Sequence, residues 1–240
     1  ENKFNIYVKK LLNEPKLKAV ATGVEIWNEP DITPSQGGVY LQDSELAEKG
    51  ETAKATRKAR GEAYGKLLVS VAENIKANAP GYKIGAFAIC TPWNPETNYF
   101  MDAALSQIPS DKKDLFDAIT LHPYMTLNMD PEIGVCGKES GASTNAQKAF
   151  DGVSYRMDNV KALVTGGTVF NHYSNANENQ TGMITGNSYS QNLTEPLWIT
   201  EYGVSSADYD SRNNDFLNCK NEYDQAIWLI RGLNQIKLNN

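Results

Sequence analysis

Cysteine and histidine are scarce in this sequence, and that scarcity removes several kinds of chemistry. Three cysteines, Cys90, Cys136 and Cys219, stand at wide and irregular spacing with no Cys-x-x-Cys pair. Neither a zinc knuckle nor a dithiol redox motif is supported. One disulfide plus one thiol fits the count, and the spacing does not choose the pair. The only two histidines, His122 and His172, belong to no His-Glu-x-x-His pattern. A metal-dependent mechanism is therefore disfavoured, although an all-oxygen calcium site in the Asp/Asn-rich loops stays compatible with the sequence. The expectation is a protein with no cofactor and no catalytic metal.

Concentrated positive charge is missing too. The densest basic stretch, residues 54–60, lies among Glu48, Glu51 and Glu62 in a helical pattern, which reads as a solvated helix face. With a net charge of −6, nucleic acid is not an expected partner. No apolar run is long enough to span a bilayer. There is no Gly-x-Ser-x-Gly elbow and no Gly-x-Gly-x-x-Gly after a strand. Gly137-Lys138-Glu139 lacks the hydroxyl residue and upstream glycine of a P-loop. Asn179-Gln180-Thr181 and Asn192-Leu193-Thr194 are glycosylation acceptors by pattern only.

What is present is an alternation of short apolar runs with longer helical stretches, the mark of repeated βα units. Strands are predicted at Val24-Glu25-Ile26-Trp27, at residues 83–89, at residues 116–121 and at Leu197-Trp198-Ile199-Thr200. Helices are predicted over residues 5–12, 46–79, 99–107, 155–163 and 223–238. In the long helix Tyr64, Leu67, Leu68, Val71 and Ile75 recur at helical spacing, and Pro80-Gly81 stops it. Residues 125–194 are rich in Gly, Asn, Ser and Thr and read as long loops, which in compact domains are usually functional. Residues 1–240 read as one domain.

The ends of the four strands carry Asn28-Glu29, Cys90-Thr91, His122-Pro123-Tyr124 and Glu201-Tyr202. Two of the four place a glutamate there, a group that is costly to bury unless it is paired or used. Glu25 shares a strand face with Glu29, so either a bulge intervenes or Glu25 is paired. Trp198 falls opposite Glu201 by alternation and is expected to pack against a helix.

Trp27-Asn28-Glu29-Pro30 and Ile199-Thr200-Glu201-Tyr202-Gly203, with His122-Pro123-Tyr124 between them, resemble clan A of the retaining glycoside hydrolases. Val24 to Asp31 and Asp117 to Tyr124 look closest to the cellulase and β-xylosidase branches. The resemblance implies an α/β fold, the (β/α)₈ TIM barrel, with this chain covering roughly strands 4 to 7. It implies a catalytic domain incomplete at both ends, whose open sheet edges would leave it unstable alone. The chain begins at Glu1 rather than Met, so an export signal would lie upstream, and the expected location is outside the cell or on its surface.

By the same resemblance Glu29 is the acid/base and Glu201 the nucleophile of an O-glycosyl hydrolase acting on a β-glycan or β-glycoside. Retaining chemistry needs one carboxylate to attack the anomeric carbon and one to protonate the leaving oxygen, about 5–5.5 Å apart. Glu29 has to start protonated, a state that a neighbouring anion favours, and Glu201 has to start ionised. Asn28 would bond the sugar 2-hydroxyl, Tyr124 would donate to the nucleophile, and His122 would shape the sugar site. Trp93, Tyr202 and Tyr40 are candidate platforms for sugar rings.

Each also has a structural reading: Asn28 as a turn former, His122 as a satisfied core histidine, Tyr124 and Trp93 as packing. A carbohydrate-binding barrel without turnover and a transglycosylase are the competing functions. The sugar, its linkage and the endo or exo mode are not encoded in these motifs.

Overall fold

The computed structural model describes residues 3–32, 45, 48, 50–90, 95–123, 129–130, 134–135, 157, 160–161, 164, 168–170, 183–185, 197–202, 226, 229–231, 233–234 and 237. The chain opens with helices α1 (Lys3–Leu12) and α2 (Pro15–Lys18) and strand β1 (Gly23–Glu25). Helix α3 (Gly50–Asn78), β2 (Lys83–Ile89), α4 (Pro95–Leu105), a 3₁₀ turn (Ser110–Leu115) and β3 (Ala118–Leu121) follow. Two short antiparallel pairs come next, β4 (Met129–Asp130) with β5 (Gly134–Val135) and β6 (Thr168–Phe170) with β7 (Met183–Thr185). Strand β8 (Leu197–Ile199) completes the main sheet. Helical residues recur at 157, 160, 161 and 164 and at 226, 229–231, 233–234 and 237, overlapping two of the predicted helices. Among the described residues no helix is long and apolar enough to cross a membrane.

The main sheet has four strands in the order β1-β2-β3-β8, and every pairing is parallel. This is an α/β fold, as the alternating pattern predicts. Register divides its side chains into two faces. Val24, Ile84, Ile119, Leu121, Leu197 and Ile199 point to one face and join the hydrophobic core. Helix α3 covers that core with Tyr64, Leu68, Val71 and Ile75, all buried. Burying each such side chain contributes about 1.5–3 kcal/mol relative to exposure. Gly61 and Gly65, one helical turn apart, let α4 approach closely. A Cβ on Gly65 would sit 2.9 Å from Ala104 Cα, and one on Gly61 would meet the Phe100 backbone.

The other face carries Gly23, Glu25, Gly85, Ala118, Thr120 and Trp198. It is small and polar apart from the tryptophan, and the sheet curls around it. In a flat sheet β1 and β8 would lie about 14 Å apart, three strand spacings. Yet Trp198 Cζ3 lies 3.7 Å from the Cβ position of Gly23, and Thr200 Oγ1 donates to Glu25 Oε2 at 2.5 Å. Trp198 therefore occupies the concave polar face instead of packing against a helix. The expectation from alternation fails because β8 ends at Ile199, so Glu201 no longer obeys the strand period.

A bulge in β2 shapes the end of the sheet near this face. Ala86 pairs with Ile119 but Ile89 pairs with Leu121, so three steps along β2 oppose two along β3. Phe87 (φ 90°) and Ala88 (φ 50°) take left-handed backbone, costly for residues with a Cβ. Two hydroxyls accept the amides that the bulge takes out of the ladder. Phe87 N–H donates to Tyr64 Oη at 3.2 Å, and Ala88 N–H donates to Thr120 Oγ1 at 2.9 Å. Tyr64 is fully buried, and its own hydroxyl donates to the Ile26 carbonyl at 3.0 Å. One side chain thus ties the ends of β1 and β2 together.

Candidate active site

Strand β1 stops at Glu25, two residues earlier than its apolar run suggests, because the backbone turns over at Trp27 (φ 78°) and Glu29 (φ 44°). Left-handed conformations at two non-glycine residues concentrate strain in this turn, a feature that clusters at functional sites. Fixed partners hold the turn on both sides. Ile26 N–H donates to the Gly85 carbonyl at 3.1 Å, and Ile32 N–H donates to the Glu29 carbonyl at 3.3 Å. Asp31, itself buried, accepts the Cys90 amide at 3.0 Å and so joins this turn to the end of β2. Trp27 packs its ring against Phe4 and the core, with ring centroids 5.5 Å apart.

The turn delivers Glu29 to His122. The histidine follows β3 directly, its amide donates to the Ile89 carbonyl at 2.8 Å, and its side chain has 0% exposure. Nδ1 lies 3.1 Å from Glu29 Oε1 and 3.7 Å from Glu201 Oε2, while Nε2 lies 3.2 Å from Glu25 Oε1. Glu201 reaches the ring from the far edge of the sheet. Its strand, β8, stays registered to β3 through Thr200 N–H and the Leu121 carbonyl at 3.3 Å. Glu29, His122 and Glu201 each offer one donor atom, and the three atoms lie within 4.8 Å of one another. Glu201 is the open member of the group, with 43% of its side chain exposed against 12% for Glu29.

Three carboxylates around one imidazole set its charge. Burial works against the protonated ring, but hydrogen bonds to Glu25 and Glu29 and the charges of Glu25 and Glu201 outweigh it, so the His122 pKa is raised. Burial likewise opposes the charged form of Glu25. Hydrogen bonds from His122 and Thr200, the neighbouring Thr120 hydroxyl and the charge on the ring overcome that and lower its pKa. The pair therefore favours the imidazolium–carboxylate form, in which both ring nitrogens donate. A protonated Nδ1 has no lone pair for a metal, so the Glu29–His122–Glu201 cluster suits proton and charge chemistry better than cation binding.

The predicted residues divide into three groups. Glu29, His122 and Glu201 are brought together, although they lie 93 and 79 residues apart in sequence. Asn28 stands exposed in the same turn as Glu29. Tyr202 is half-buried against the hydrophobic core, with its hydroxyl buried. Trp93, Tyr124 and Tyr40 lie outside the described residues. Of the two explanations for Glu25, a bulge or a partner, the partner applies: His122 pairs with the side chain, while β1 runs without a bulge and ends at Glu25, where the turn breaks the strand period. Thr120 and Thr200 were not anticipated as parts of the site. Only the strand order shows that β8 and β3 lie beside each other and bring both hydroxyls toward β1. No protein-family model and no curated protein matches this chain.

Proposed function

We propose that this chain is the working part of a retaining glycoside hydrolase, with Glu201 as nucleophile and Glu29 as acid/base on a β-linked carbohydrate. The observation that carries the reading is the meeting of Glu29 and Glu201 from two parallel strand ends, with oxygens no more than 4.8 Å apart. That separation suits direct attack by a carboxylate. An inverting pair stands about 6.5–9.5 Å apart to leave room for a water. The fold proposed for it is a (β/α)₈ barrel in which β1, β2, β3 and β8 serve as strands 4 to 7. The curl of the sheet and the position of Glu29, His122 and Glu201 just past the carboxyl ends of parallel strands support this.

In the first half-reaction a Glu201 oxygen bonds to the anomeric carbon as the glycosidic carbon–oxygen bond breaks. The leaving oxygen takes the proton of Glu29. Glu201 is then an ester and uncharged, and Glu29 is a carboxylate. In the second half-reaction water bonds to the same carbon and gives a proton to Glu29, the ester to Glu201 breaks, and both groups return to their starting states. Two inversions leave the configuration retained. The exposure of Glu201 and Asn28 fits attack by Glu201 on a sugar that enters from solvent with its 2-hydroxyl facing Asn28.

The test assays the full-length protein on aryl β-glycosides and β-glycans beside Glu29→Ala and Glu201→Ala, with product configuration followed by proton NMR. The expected result is retention in the parent and a loss of about a thousandfold or more in Glu201→Ala. Glu29→Ala should lose least on substrates whose leaving groups need no proton. A folded parent that binds glycans and cleaves none would replace this reading with that of a binding protein.

A further inference from the structure

The mechanism above uses Glu29 and Glu201 but gives no task to a third carboxylate, Glu25, which the same histidine engages. Resting on the glycosidase reading, we infer that Glu25 is a positioning residue: it grips Nε2 of His122 so that the Nδ1–H serves Glu29 and Glu201 in turn. Glu25 is itself held from two strands. Its Oε1 faces His122 Nε2 at 3.2 Å, and its Oε2 accepts from Thr200 Oγ1 at 2.5 Å. These contacts orient the ring about its Cβ–Cγ bond and leave Nδ1 aimed between the other two carboxylates. Among the described residues the carboxylates that face the ring are Glu25 from β1, Glu29 from the turn after β1, and Glu201 after β8.

This arrangement answers a problem in the reaction. Negative charge leaves Glu201 and appears on Glu29 in the first half-reaction, then returns in the second. A fixed cation with Nδ1 at 3.1 Å from one carboxylate and 3.7 Å from the other faces one anion in each state. It also decides which Glu29 oxygen carries the working proton. An Nδ1–H donating to Oε1 leaves the proton on Oε2, free for the leaving group. A neutral ring keeping its proton on Nε2 would turn Nδ1 into an acceptor and draw the Glu29 proton onto Oε1, away from the substrate. Glu25 therefore acts by keeping His122 a double donor.

The experiment reads the His122 ring directly. Imidazole nitrogen NMR on the full-length protein resolves the histidine rings, and the signals lost in His122→Asn identify that ring. In the parent, His122 should hold its proton to higher pH than an ordinary histidine, and in Glu25→Gln its titration should move down. The basic limb of kcat/KM should move down with it. At neutral pH kcat should fall by about tenfold, the loss of one charged hydrogen bond, with KM little changed. Glu25→Asp, which keeps the charge, should restore part of the profile. Thr200→Val should shift both readouts in the same direction but less, which covers the case in which Glu25→Gln does not fold.

An active parent whose His122 titration and basic limb are unmoved in these variants overturns the inference alone. A parent inactive on every substrate shows instead that the glycosidase reading has failed, before any variant is compared.

Discussion

Replacing Tyr64 by Phe removes a single oxygen atom, yet that atom joins the turn that carries Glu29 to the bulge in β2. The Tyr64 hydroxyl donates to the Ile26 carbonyl at 3.0 Å and accepts the Phe87 amide at 3.2 Å, and all three residues are at most 2% exposed. The phenyl ring would keep its contacts with Phe87 and Phe100, whose centroids lie 5.9 and 5.6 Å away, so little volume is lost. The cost is electrostatic. Two buried backbone groups lose their partner at about 1–3 kcal/mol each, and relief by backbone shifts makes the sum less than additive, so about 2–4 kcal/mol is expected. Against a total stability of about 5–15 kcal/mol this is a large fraction.

Because Phe87 already sits at φ 90°, losing its amide partner also releases a strained bulge, and because Ile26 lies three residues before Glu29, activity should fall along with stability. Urea unfolding of parent and Tyr64→Phe, read by circular dichroism, measures the difference. The midpoint should drop with an unchanged slope. A change below about 0.5 kcal/mol with unaltered turnover would refute the reasoning, since it would mean the two backbone groups find other partners.

Other consequences are equally direct. Asp117, 17% exposed, accepts from the Ile84 amide at 3.0 Å, Lys76 at 3.1 Å and Lys83 at 2.7 Å, tying α3, β2 and the start of β3 together. Burial raises its pKa, but Lys83, the Ile84 amide and Lys76 together lower it, so its contribution is present above 3.8 and is lost as pH falls through the depressed value. Asp117→Asn should cost about 1–2 kcal/mol in chemical denaturation, with exposed Lys83 contributing least, and should flatten the acid limb of stability. Gly61→Ala should destabilise by about 1–3 kcal/mol despite the gain of about 1 kcal/mol in helix propensity, because α4 has to retreat from the new methyl group. Thermal melting that shows stabilisation would place α4 farther from α3.

The Glu25–His122 pair gives a stability window. The His122 contribution is complete below 6.5 and lost as pH rises through its raised value, and the Glu25 contribution is complete above 4.5 and lost as pH falls through its lowered value. Melting temperature should be highest between those limits and decline on both sides, and Glu25→Gln should lose that shape.

Much of the fold is legible in the residues because the local signals agree. Strand β2 runs over the predicted 83–89, and α3 ends at Asn78 before Pro80-Gly81, as its apolar stripe and stop signal require. The misreadings have local causes. The apolar pattern extends strand β1 to Trp27 because tryptophan suits a strand, but the backbone there turns left-handed and presents Glu29. Helix α4 begins at Pro95, a residue favoured in the first turn of a helix, whereas apolar spacing alone starts it at Tyr99.

The site is legible where a strand-end residue announces itself by type, as Glu29, His122 and Glu201 do. The supporting hydroxyls are not. Thr120 and Thr200 look like ordinary strand residues, and their role follows from the pairing of β3 with β8 and from the curl that brings β8 to β1. Such neighbours depend on register between distant segments, which periodicity within one segment does not contain.

The central claim is that Glu201 becomes covalently bonded to the sugar while Glu29 manages the proton. The most direct test is to incubate the full-length protein with 2-deoxy-2-fluoro β-glycosides bearing good leaving groups, then to digest it and locate any added mass. The fluorine slows release of the intermediate more than its formation when the leaving group is activated. The account predicts one sugar per chain on the peptide containing Glu201, and none in Glu201→Ala. A sugar on Glu29, or rapid turnover of the natural substrate with inverted product and no labelled carboxylate, would contradict it.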